Sequence, residues 1–123
     1  MSFEDLEAWQ MARQLVNSLY ALARFKSLSK DFQLGSQIQA AGVSIMSNIA
    51  EAFERTYLQE KVQFYNVARG SAGEVRSLLY VVPDNFAEAS TEAGRLREEA
   101  KKVGKLVTGL LNSTVRHRGA HAR

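Results

Sequence analysis

The sequence predicts an all-α fold, an antiparallel up-down-up-down four-helix bundle, and three observations carry that expectation. Apolar residues recur at steps of three and four over four long stretches. No stretch shows the β-branched alternation of a strand. The single proline, Pro83, falls near the end of the third stretch rather than inside a core repeat. At 123 residues the chain has room for one domain with a core of its own, and 46% hydrophobic with 24% charged residues is the composition of a folding chain rather than a disordered one.

The first helix is expected at about 3–25. Ser2 is its candidate N-cap, Glu4, Asp5 and Glu7 favour the positive end of the helix dipole, and Leu6, Trp9, Val16, Leu19 and Ala23 form the apolar stripe. After the Ser27-Leu28-Ser29 break, the second helix is expected at about 30–53, with Leu34, Ile38, Ala41, Ile45, Ile49 and Ala52 as its core seam. The third, at about 57–82, opens on the capping-box pattern Thr56-Tyr57-Leu58-Gln59 and is expected to end or kink near Pro83. The fourth, at about 91–115, carries Leu96, Ala100, Val103, Val107 and Leu110, and residues 116–123 read as a basic flexible tail. Matched helix lengths and short connections favour consecutive helices as antiparallel neighbours. Interior glycines, Gly35, Gly42, Gly70, Gly73, Gly104 and Gly109, each cost about 1 kcal/mol against alanine in a helix, and close helix packing is the expected compensation.

The second and third helices carry more uncharged surface than one bundle core requires. From Gln33 to Ala50, 18 consecutive residues hold no formal charge. At 100° per residue, Val43, Met46, Ala50 and Phe53 form a face beside the core seam. On the third helix Phe64, Val67 and Leu78 flank the main stripe, and Gly70 and Gly73 belong to a further face of small, uncharged residues. Gln33, Ser36, Gln37, Gln39, Ser44, Ser47 and Asn48 make the run too polar for a membrane span. Burial against another copy of the chain is the expected explanation, since obligate interfaces are poor in charge. Val43, Met46, Ala50, Phe53, Phe64, Val67, Gly70, Gly73 and Leu78 are therefore the expected homo-oligomer interface. Asn48, beside Gln37 and Ser44 at the edge of the seam, reads either as part of a polar layer that fixes register or as a ligand contact.

Catalytic chemistry finds little footing. Without cysteine there is no disulfide, thiolate metal site or thiol nucleophile. Di-iron bundles use Glu-x-x-His on two helices, but the only histidines, His117 and His121, lie in the tail, so no metal is expected. Glu51 and Glu54 could pair as acid and base, yet Glu51 with Arg55 has the spacing of an ordinary helical ion pair. The glycines match no phosphate-binding loop. A non-enzyme without cofactors is expected. The acidic opening Met1-Ser2-Phe3-Glu4-Asp5 does not resemble a secretory signal, so the expected location is cytoplasmic.

The formal charge of +3 is unevenly spread. Six basic residues and no acidic one lie between Lys101 and Arg123, while the remainder sums to −3. Lys101, Lys102, Lys105, Arg116 and Arg118 are the candidate contacts to RNA or DNA phosphates, with a merely solubilising block as the rival reading. Arg69 and Arg76 project in nearly the same direction beside Tyr80, a pattern that suits either stacking on a base or snorkelling at the bundle margin.

The run Gln37-Ile38-Gln39-Ala40-Ala41-Gly42-Val43-Ser44-Ile45-Met46-Ser47-Asn48-Ile49-Ala50-Glu51-Ala52, followed by Phe64-Tyr65-Asn66-Val67-Ala68-Arg69-Gly70-Ser71-Ala72-Gly73-Glu74, resembles the signature of the four-helix bundle family named for proteins encoded in 23S ribosomal RNA intervening sequences. The opening Phe3-Glu4-Asp5-Leu6-Glu7-Ala8-Trp9-Gln10 is similar to that family's start, and the likeness covers about residues 3–115. Met46 stands where the family usually has proline, Ala52 where it has glycine, and Gln39-Ala40 where it often has two arginines, which removes positive charge from the second helix. A related branch, the accessory proteins of diversity-generating retroelements, resembles barrel-like pentamers with basic surfaces that engage nucleic acid. The resemblance implies a pentamer and no catalytic residues. Two functions are thus expected to compete: a homo-oligomer that binds RNA or DNA through basic residues, and a structural or protein-docking scaffold with no nucleic-acid role.

Overall fold

The computed structural model describes the backbone of residues 1–121 and the side chains of residues 1–117. Four long helices are present, α1 (Glu7–Ala23), α2 (Phe32–Glu54), α3 (Leu58–Asn85) and α4 (Ser90–His121), and the described residues contain no strand. Short 3-10 turns, Phe3–Asp5, Lys26–Lys30 and Ala87–Ala89, precede α1, α2 and α4. α1 packs on α2 and α4, and α3 packs on the same two, so the four helices surround one core.

The contacts give the register of each consecutive pair. Ala23 lies against Gly35, and Val16 with Leu19 against Gly42, so the end of α1 meets the start of α2. Ser44 meets Ser71, and Lys61 reaches Ala52 and Phe53, which gives α2 and α3 opposite directions. Arg97 meets Leu79 and Gly104 meets Ala72, which does the same for α3 and α4.

The core follows the apolar period. Leu34, Ile38, Ala41, Ile45, Ile49 and Ala52 of α2 are all buried, as are Tyr65, Ala68, Ala72, Val75, Leu79 and Val82 of α3 and Leu96, Ala100, Val103 and Val107 of α4. Leu111, rather than the expected Leu110, closes the α4 stripe. One polar layer crosses it. Ser44 and Ser71 share a hydrogen bond of 2.7 Å, and the Asn48 amide donates to the Ser44 carbonyl at 2.8 Å and to its hydroxyl at 3.1 Å. Asn48 and the hydroxyls are thereby satisfied at the α2/α3 contact, where an unpaired group would cost about 1–3 kcal/mol.

Helix ends differ from the sequence expectation where distant groups intervene. At the start, Ser2 caps a 3-10 turn through reciprocal bonding with Asp5 rather than α1 itself. Asp31 caps α2 by accepting from the Leu34 N–H at 3.0 Å. The capping-box residue Thr56 is displaced by one position, because α3 starts at Leu58 with Tyr57 as its N-cap. Lys61 of α3 instead serves the other side of this turn, donating its ammonium to the Phe53 carbonyl at 2.8 Å and the Ala52 carbonyl at 3.2 Å. These are C-terminal carbonyls of α2, which lack helical donors. α4 runs to His121, six residues past the expected 115.

At the far end, α3 closes near Pro83 as expected, but two residues past it, at Asn85, so that the proline lies inside the helix. Proline has no N–H, so the carbonyl four residues earlier, that of Leu79, loses its helical partner. The guanidinium of Arg97, on α4, donates to that carbonyl at 3.0 Å. A side chain from the neighbouring helix therefore completes the ladder that the proline interrupts.

Of the six interior glycines, Gly35 and Gly104 leave room for an ordinary Cβ contact, and the other four fall at opposite extremes. A Cβ on Gly42 would come within 2.7 Å of Leu19 Cδ1, so close α1/α2 packing accounts for that glycine. A Cβ on Gly70, Gly73 or Gly109 would meet no heavy atom within 4 Å, so the packing of a single chain gives no reason for these three.

Candidate functional site

Arg69 and Arg76 stand two turns apart on α3, and Lys101 and Lys105 one turn apart on α4, so each pair shares a helix side. The α3/α4 register sets the two sides against each other. Together with Ala72, Gly73, Ala100, Gly104 and Thr108 these four cations line an open groove of about 370 Å³. No carboxylate belongs to its wall. Its floor is shallowly set back because Ala72, Gly73, Ala100 and Gly104 have small side chains or none. A Cβ on Gly104 would make only an ordinary 3.7 Å contact with Ala72, so packing alone would tolerate a larger floor residue there.

The electrostatic character of the groove comes from missing partners as much as from charge number. Three other cations are matched by a carboxylate three or four residues earlier: Arg55 with Glu51 at 3.0 Å, Arg95 with Glu92 at 2.6 Å and Lys102 with Glu99 at 3.8 Å. Others cover rings, as Arg13 does Trp9 and Lys26 does Phe25. Among the described residues, Arg69, Arg76, Lys101 and Lys105 make none of these pairings. Four like charges around one concavity raise the local potential and concentrate anions there.

Toward the α3 C-terminus the groove runs into the pair that supports Pro83. The Arg97 guanidinium lies 4.3 Å from the Tyr80 ring centroid while donating to Leu79. Tyr80 remains 58% exposed. Arg97 is one turn before Lys101, and Tyr80 one turn after Arg76, so both continue the rows that line the groove.

The expected phosphate contacts are therefore divided. Lys101 and Lys105 come together in the groove, and Arg69 and Arg76, whose pattern suits two readings, join them there. Lys102 is turned away by its 100° offset and pairs with Glu99. Arg116 is exposed about 16 Å farther along α4 at 1.5 Å per residue. The side chain of Arg118, with His121 and Arg123, lies outside the described residues.

The expected interface residues are divided too. Val43 and Val67 are exposed, at 39% and 44%, while Met46, Phe53, Phe64 and Leu78 are half-buried against the core. Ala50 is half-buried and Gly70 exposed. Phe53 and Phe64 have Lys61 and Arg55 over their rings within the chain. Gly73 belongs to the cationic groove, away from the α2 contact. Glu74, one turn after Gly70, places a charge on the outward side of α3. On α2, Ser36, Gln39, Ala40, Val43 and Ser47, with Tyr20 of α1, line a shallow uncharged depression of about 510 Å³.

Among the described residues no group of three His, Asp or Glu could hold a metal ion, and no helix is long and apolar enough to cross a membrane. The fold and groove define a class, an all-helical four-helix bundle with a carboxylate-free cationic groove between its last two helices. The chain belongs to the family of 23S rRNA-intervening sequence proteins, whose model matches residues 4–109. It is similar in fold to the crystal structure of a protein of unknown function from the S23 ribosomal protein family of Bacteroides thetaiotaomicron VPI-5482. The TM-score is 0.76 at 18% identity, over 85% of this chain and 95% of that one. No curated protein matches the chain.

Proposed function

We propose that this chain is a non-enzymatic, self-associating bundle of the cytoplasm that binds RNA or DNA phosphates through its α3/α4 groove. One observation carries the reading: Arg69, Arg76, Lys101 and Lys105 line a single concavity that contains no carboxylate. Phosphate contact requires converging charge and reach rather than a sequence-specific motif. Arg116 and Arg118 extend the basic character of the same helix and serve as outlying contacts. The test is a mobility-shift titration against RNA and DNA at two salt concentrations. Binding that weakens steeply with salt is expected, and either no binding at low salt or indifference to salt overturns the reading.

Self-association, with the pentamer that the family resemblance implies, is supported by the uncharged outward face of α2 around Val43 and by Gly70, whose missing Cβ nothing within the chain explains. Met46, Ala50 and Val67 border these positions and complete the proposed contact. Sedimentation at micromolar concentration should detect an oligomer, and a stable monomer would contradict it. A docking scaffold is the second reading, favoured by the uncharged depression beside Tyr20 and Val43.

A further inference from the structure

We propose that the groove takes a single strand rather than a duplex, with Tyr80 as the platform on which one unpaired base stacks. The inference rests on the phosphate reading above and adds a base-recognising element to it. Two rows converge on the same seam, Arg69, Arg76 and Tyr80 from α3 and Arg97, Lys101 and Lys105 from α4. From Arg69 to Tyr80 the row is about 16 Å long at 1.5 Å per residue, the reach of a few nucleotides. Asp84, one turn beyond Tyr80, ends the run of positive charge on α3.

Tyr80 is unusual among the large side chains of this seam because it is held yet uncovered. The Arg97 guanidinium sits 4.3 Å from its centroid, and that guanidinium is itself fixed by the Leu79 carbonyl at 3.0 Å. The ring is therefore pre-positioned, while 58% of the residue remains open to solvent. With the guanidinium over one face of the ring and more than half of the residue exposed, the opposite face is the one a base would stack on, beside a row of phosphate-binding charges. Charged grooves with adjoining aromatic rings suit single strands, whose bases have free faces. In a duplex those faces are already stacked on each other, so only the phosphate contacts would remain.

The test uses the full-length protein and fluorescence anisotropy with a short single-stranded RNA, the same sequence as DNA, and a blunt duplex, all at one salt concentration. The wild type should bind both single strands more tightly than the duplex. Tyr80→Ala should weaken single-strand binding by about tenfold, the order of one lost base stack, and leave duplex binding unchanged. Tyr80→Phe, which keeps the ring, should retain the affinity, and Tyr80→Leu, which keeps an apolar cover for Arg97 without a π face, should not. Equal affinity for duplex and single strand, or an unchanged affinity of Tyr80→Ala and Tyr80→Leu, overturns this inference while the phosphate reading stands. Absence of binding to every probe at low salt overturns both.

Discussion

Arg97→Met isolates the repair of α3 at Pro83. Methionine keeps an apolar stem but removes the donor to the Leu79 carbonyl and the cation beside Tyr80. A hydrogen bond from a charged group contributes about 1.5–3 kcal/mol, and an exposed cation–ring contact about 0.5–1 kcal/mol. The expected loss is about 2–3 kcal/mol, since Leu79 is fully buried and its carbonyl has little other access to a donor. Replacing Pro83 with alanine returns an N–H that can donate to the same carbonyl. In that background Arg97→Met should cost about 1 kcal/mol, leaving a coupling of about 1–2 kcal/mol, typical of residues that share a partner. Urea unfolding followed by circular dichroism at one fixed protein concentration measures the four corners of this cycle. Equal losses with and without the Pro83→Ala substitution would refute the idea that Arg97 substitutes for the missing amide.

Three further outcomes follow from other parts of the molecule. Gly70→Ala meets no atom within the chain and should raise helix stability by up to about 1 kcal/mol, yet weaken self-association; sedimentation and thermal unfolding read the two effects separately, and an unchanged oligomer argues against Gly70 as a contact. Gly42→Val forces a side chain into Leu19 and should destabilise by about 1–3 kcal/mol in urea unfolding. The Ser27 hydroxyl, donating to the Glu88 carboxylate across the two loops at one end of the bundle, holds Glu88 below its ordinary value of 4.5. Because the folded state depresses this pKa, its contribution is present above the ordinary carboxylate range and lost as pH falls through the folded value. The melting-temperature difference between wild type and Ser27→Ala should therefore shrink on acidification below that range, and a difference constant down to low pH would oppose the assignment.

The parts of the fold legible in the sequence are those governed by local period. The α2 seam from Leu34 to Ala52 is buried throughout because steps of three and four keep one side of a helix facing the core. α3 ends near Pro83 as local rules expect, but those rules count only its lost amide and not Arg97, 14 residues later on another helix, which supplies the donor. Thr56 likewise matches a capping pattern, while the chain begins α3 one residue later and uses Lys61 to finish α2. The candidate site is half visible. Lys101 and Lys105 stand out in the basic block, whereas their association with Arg69 and Arg76 depends on the α3/α4 register, which no linear pattern displays. Lys102 is not separable from them by spacing, since Lys101 has Glu98 three residues before it just as Lys102 has Glu99; only the observed Lys102–Glu99 pair sets it apart.

Binding of nucleic-acid phosphates by the α3/α4 groove should show in the salt dependence of affinity for a single-stranded oligonucleotide. Each phosphate contact to a single strand contributes about 0.7 to the slope of log K against log salt. Four groove contacts should thus account for about 3 of the wild-type magnitude, and the variant with Arg69, Arg76, Lys101 and Lys105 all replaced by glutamine should lose that share, keeping only what the outlying Arg116 and Arg118 contribute. Equal slopes for wild type and the folded variant would contradict the account.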